Sequence, residues 1–142
     1  MIWLVGCSNN TPSKTVSDIL QNKKEIKLVN YNNEVFLNND KEIQNFKDLI
    51  DDVQVKEISR KEFKEIFQSH GEFREKRESL ALFVFDKENN EEPPTIVIEI
   101  TSDGNFTLNE MDEEGMVTKD YLITEKDKVL YQDVKLFLES SN

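Results

Sequence analysis

Leu80-Ala81-Leu82-Phe83-Val84-Phe85, followed by Thr95-Ile96-Val97-Ile98-Glu99-Ile100 and then Phe106-Thr107-Leu108, is the stretch from which the fold can be read. The first run is apolar at every position but carries no helical spacing. It is therefore expected to be a central strand covered on both faces. The second alternates, with Ile96, Ile98 and Ile100 on one face, and Ser102-Asp103-Gly104-Asn105 after it is a turn sequence. Phe106 and Leu108 then return on the same face. Asp112-Glu113-Glu114-Gly115 makes a further turn into a strand near Val117–Ile123. Strands joined by short turns form a meander, so the sheet should be largely antiparallel.

Working outward, Ile26–Tyr31 and Glu34–Leu37 read as a hairpin closed by Asn32-Asn33, residues that accept positive φ. Ile43, Phe46, Leu49, Ile50 and Val53 recur at helical spacing, with Asn39 and Glu42 placed as a capping box. Residues 53–58 alternate as a half-buried strand. Ser59 and Glu62 form a second capping box, flanked by the staple residues Ile58 and Phe63. Phe63, Ile66 and Phe67 continue that helix, His70 complements its C-terminal dipole, and Gly71 ends it. Thr124, with Asp127 three residues later, is expected to open a terminal helix with a stripe of Leu130, Val134, Phe137 and Leu138. The order implies an α+β fold, a largely antiparallel meander with about three helices, and the two-faced run 80–85 suggests helices on one face of the sheet with further protein, or a strongly curved sheet, on the other.

Composition sets the wider limits. The chain has 142 residues, the size of one domain. Its apolar content of 37% is low and its charged fraction of 33% is high, yet nine Phe and the periodic Ile, Leu and Val runs supply a core. The net charge of −11 repels polyphosphate, so nucleic acid is an unsuitable partner. The same charge opposes adsorption to anionic lipid through a basic face. A single Cys rules out an intrachain disulfide or a Cys-based metal site, and no stretch reaches the ~20 apolar residues of a transmembrane helix.

Leu4-Val5-Gly6-Cys7 resembles the lipobox of bacterial lipoproteins. The resemblance implies a diacylglycerol on the Cys7 sulfur and signal cleavage between Gly6 and Cys7. Small residues let an extended backbone enter a peptidase, and a thiol is the side chain that forms a thioether. Only six residues precede Cys7, and none is charged, whereas a signal peptide needs a basic region and ~7–15 apolar residues. Residues 1–6 therefore read as the remnant of a signal peptide with Met1 as an internal start. Residues 7–24 then read as a lipid-anchored polar tether, with Val16, Ile19 and Leu20 able to form a turn of helix, and 25–142 as one α+β domain. Two or three acyl chains would anchor it stably. The polar tether, early hairpin, meander and closing Asp120-Tyr121-Leu122-Ile123-Thr124-Glu125-Lys126-Asp127 are similar to small lipoproteins of Bacillus-like Gram-positive bacteria, families that carry no established activity.

Motifs of chemistry are sparse. His70, the only His, cannot build a multi-His metal site. Glu110, Asp112 and Glu114 before Gly115 imitate the first half of an EF-hand loop, but its twelfth position is Tyr121 where a bidentate Glu is needed. These three are weak metal candidates, and the bland reading is an acidic turn. Arg60 to Glu78 alternates in sign, as a solvated surface does. With four Gly in the chain no phosphate loop is present, and no cofactor is implied. The expectation is a non-enzymatic, lipid-anchored binding or accessory domain on the extracytoplasmic face of the cell membrane, working with another envelope protein or a small ligand. The rivals are an envelope hydrolase using carboxylates, and a cytosolic protein whose N-terminus matches by chance.

Overall fold

The computed structural model describes residues 12–20, 25–30, 34–37, 39–69, 79–85 and 94–140; for 25–30, 34–36 and 67–69 only the backbone course is described. The expected Asn32-Asn33 turn, His70, Gly71 and the charged loop from Asp86 lie outside them.

The strands are β1 (Ser13–Thr15), β2 (Glu25–Asn30), β3 (Glu34–Leu37), β4 (Gln54–Ile58), β5 (Ser79–Phe85), β6 (Ile96–Thr101), β7 (Phe106–Met111) and β8 (Val117–Ile123). The helices are α1 (Val16–Leu20), α2 (Asp40–Ile50), α3 (Arg60–Ser69) and α4 (Lys128–Ser140). Among the described residues one sheet holds eight strands in the order β1-β4-β8-β7-β6-β5-β2-β3, and every pairing is antiparallel. The α+β class and the meander β5 to β8 are as the periodicity requires. The β2–β3 hairpin adds beyond β5, while β4 and β1 add beyond β8 at the opposite side.

Cross-strand register defines the buried face. Ile98 sits between Leu82 and Leu108, Ile100 between Leu80 and Phe106, Ile96 opposite Val84, Leu108 opposite Tyr121, and Val55 opposite Ile123. All are buried. Helices α1, α2 and α4 cover this face through Val16, Leu20, Ile43, Phe46, Ile50, Leu130, Tyr131, Val134 and Leu138. The ring of Phe46 meets that of Phe137 at 5.8 Å between centroids, tilted by 54°, which joins α2 to α4.

The packed body begins earlier than the polar composition suggests. Residues 13–20, expected within the tether, form β1 against β4 and then α1, whose Val16 and Leu20 are buried. Val16 N–H donates to the Val53 carbonyl at 3.0 Å. Three apolar residues at helical spacing outweigh the polar residues around them, because they reach a core that a composition average does not see.

The caps follow the sequence with two changes. Asn39 caps α2, but its side chain accepts from Lys41 N–H at 2.8 Å and not from Glu42. The terminal helix is opened by Asp127 and not by Thr124: Asp127 Oδ1 accepts from Val129 and Leu130 N–H at 3.0 and 3.3 Å. Thr124 stays with the sheet instead: its N–H donates to Gln54 O at 2.9 Å, prolonging the β4–β8 ladder.

Gly104 fixes how α4 meets the sheet. It has φ of 100°, and its carbonyl accepts from Asp127 N–H at 2.9 Å. A Cβ there would lie 3.1 Å from the backbone atoms of Asp127 and Lys128, which cannot move without breaking the cap. Gly104→Ala should therefore lower stability by about 2 kcal/mol through positive φ and crowding. The urea midpoint reads this, and a loss below about 0.5 kcal/mol would show that the joint is slack.

Candidate functional site

The opposite face of the sheet carries Ala81, Phe83, Val97, Glu99, Thr107, Asn109, Asp120, Leu122, Lys56 and Ile58, by strand alternation. The sequence leads one to expect helices on one face with further protein, or a curved sheet, on the other. Instead α3 leaves β4 through Ser59 and packs over this face at its β8 end. Ser59 Oγ accepts from Glu62 N–H at 3.1 Å and contacts Glu62 Oε1 at 3.5 Å, while Ser59 O accepts from Phe63 N–H at 3.0 Å. The expected start of α3 is thus found, and it sets Arg60 directly above β8.

Asp120 is the one buried charged side chain among the described residues, with 4% of its side chain exposed. Burying a carboxylate costs several kcal/mol unless donors compensate it. Two do so. Arg60 Nη1 donates at 2.7 Å and Asn109 Nδ2 at 2.5 Å, both to Oδ1. The Arg60 guanidinium also lies 4.8 Å from the centre of the Phe63 ring, within cation–π range. Its side chain remains 48% exposed although Nη1 is held by the buried carboxylate.

A recess of about 270 Å³ opens beside this pair, lined by Glu57, Ile58, Ser59, Arg60 and Val117 to Asp120. Its origin lies in the ladder. β4 pairs with β8 only from Ile123 to Asp120, and the chain then turns away at Ser59. Among the described residues, no strand accompanies Val117 to Lys119 on that side. The β7–β8 register also slips at Glu110/Met111, and Thr118 bonds back to Glu110 O at 3.2 Å. A bulge and a lysine on an open edge both discourage pairing with another strand.

In the sequence Asp120 stands out only as the first residue of the strand-to-helix junction 120–127. The signal that finds it is its place in the alternation, a carboxylate sharing a face with Leu122 in an otherwise half-buried strand. Asn109 gives a weaker signal of the same kind. The metal candidates resolve into a turn: Asp112 Oδ1 accepts from Glu114 and Met116 N–H, each at 2.9 Å, and Gly115 has φ of 82°. Among the described residues no group of three or more His, Cys, Asp or Glu is arranged to hold a metal ion. No described helix is long and apolar enough to cross a membrane. Gly6, Cys7, Arg74, Lys76 and Arg77 lie outside the described residues.

Tyr121, next to Asp120 on β8, faces the other way into the core, with Lys14 Nζ 6.0 Å from its ring centre. Burial, then the negative charges of Glu110 and Glu57, push its phenol up to about 12. Because the folded value lies above the ordinary 10, the contribution is complete below pH 10 and is lost as pH rises toward 12. The urea midpoint should therefore fall more steeply across that range in the native protein than in Tyr121→Phe. Equal slopes would mean that Tyr121 ionises freely.

No protein-family profile matches the chain, and neither a curated protein nor a solved structure matches it.

Proposed function

We propose that this chain is a lipid-anchored binding or accessory domain on the extracytoplasmic face of the cell membrane, held there through Cys7. The observation that carries the reading is Leu4-Val5-Gly6-Cys7 standing a few residues before a packed body that starts at Ser13. From Cys7 to Ser13 the chain can span at most about 20 Å, so an acyl group on that sulfur would keep the domain close to the bilayer. The charge of −11 would be repelled by anionic headgroups, which leaves the lipid as the source of attachment.

Binding is favoured over carboxylate hydrolysis by the chemistry of the recess. Acid–base work needs two carboxylates converging on one substrate atom. Here Asp120 is ion-paired with Arg60 and hydrogen-bonded by Asn109, which leaves Glu57 as the one other carboxylate on the lining. A held guanidinium beside an open recess suits recognition.

The test is the protein expressed from its own gene in its own host. The native protein should sediment with membranes and carry an acylated N-terminal Cys7, whereas Cys7→Ser should be released into the soluble fraction. An unmodified thiol with Gly6 still attached would end the reading.

A further inference from the structure

We infer that the recess between the end of β4 and the start of β8 is a binding site for a small carboxylate, which takes the free side of the Arg60 guanidinium. The inference deepens the reading as a binding domain and does not depend on the lipid at Cys7.

A surface arginine normally keeps its rotamer freedom, and fixing it costs conformational entropy. Arg60 is fixed twice, by the buried Asp120 carboxylate at 2.7 Å and by the Phe63 ring. A buried ion pair adds little net stability over an apolar replacement, so what this arrangement provides is orientation. Asp120 takes one N–H of Nη1, and Arg60, whose side chain is half-exposed, lines the recess with further N–H donors in its fork. A planar fork with parallel N–H groups matches a carboxylate. Ser59 marks the N-terminus of α3 at the same place, where the helix dipole also favours an anion.

The lining decides which anion. Arg60 and Lys119 are balanced by Asp120 and Glu57, in a chain whose overall charge is −11. That balance accommodates one negative charge far better than the two of a phosphate monoester. About 270 Å³ is the scale of an amino acid or dipeptide and falls short of a drug-sized pocket. The bulge and Lys119 discourage a full strand from docking along β8, so the ligand is a free small acid or the terminal carboxylate of a peptide.

The test is a titration of the ¹⁵N-labelled domain with acetate, glycylglycine, glycinamide and inorganic phosphate, following the amides of Ser59, Arg60, Thr118 and Lys119. Saturable shifts with acetate and glycylglycine, absent with glycinamide, are expected. Glycylglycine binding more tightly than acetate would identify a peptide terminus, and equal binding a free acid. Arg60→Lys keeps a positive charge toward Asp120 but loses the fork, and should weaken binding about tenfold. Lys119→Gln, away from the buried pair, should weaken it by a smaller factor. Shifts with phosphate alone, equal shifts with glycinamide, no saturable shift, or binding unchanged in Arg60→Lys would each overturn the assignment. Failure here would leave the membrane test on Cys7 untouched.

Discussion

Phe46→Ala is expected to lower the unfolding free energy by about 3–5 kcal/mol, the range for removing a buried aromatic ring. Phe46 is fully buried on α2, and its ring is the contact through which α2 meets Phe137 of α4. Truncation removes both the transfer free energy of the ring and the partner surface it gives to the second helix. Two helices packed on a sheet cannot both collapse into one void, so the cavity persists. Against a total stability of about 5–15 kcal/mol for a domain, this loss brings the protein near the point of unfolding. Chemical denaturation with Phe46→Leu as the milder control, at about 1–1.5 kcal/mol, checks the argument. Leu136→Ala on the outer side of α4, where Leu136 is 60% exposed, should stay within about 0.5 kcal/mol. A Phe46→Ala loss as small as that of Leu136→Ala would show that α2 is not seated as described.

Arg60→Ala should cost about 2–3 kcal/mol although Arg60 is a half-exposed residue, because the cost falls on its partner. Without the guanidinium, the Asp120 carboxylate stays buried with the Asn109 amide as its remaining partner among the described residues. Breaking a buried pair from one side typically costs about 3–5 kcal/mol. The lower figure applies because water can enter through the recess that Arg60 vacates. Asp120→Leu with Arg60→Met removes both charges together and should recover most of the loss. A double-mutant cycle measured by urea denaturation would then give a coupling of about 1–3 kcal/mol. A coupling near zero would mean that the Arg60–Asp120 contact is an incidental surface pair.

These two predictions differ in how far each was legible in the chain. Phe46 stands in the stripe Ile43, Phe46, Ile50, where helical spacing alone marks a buried face. The importance of Arg60 is not legible, since it belongs to a run of alternating charges that reads as solvated surface. Asp120 looks equally ordinary. The two lie sixty positions apart, and they meet because β4 and β8 become neighbours. The recess has the same origin: it exists where β4 stops pairing and β8 does not, a mismatch of strand ends that neither strand encodes alone.

What the sequence by itself determined are the features that depend on residues within a few positions of one another. Alternation at Ile96, Ile98 and Ile100 set a strand, spacing set α2, and Ser59 with Glu62 set the start of α3. The α+β class follows from the order of those signals, because short turns permit only antiparallel neighbours. Tertiary structure alone decided the strand order, with the β2–β3 hairpin at one side and β1–β4 at the other. It also drew residues 13–20 into the body and moved the last helix start from Thr124 to Asp127. Each is settled by competition for backbone partners and apolar cover between segments distant in the chain. Hydrogen-bonding groups are alike in every residue, so local sequence cannot say which distant partner will take them.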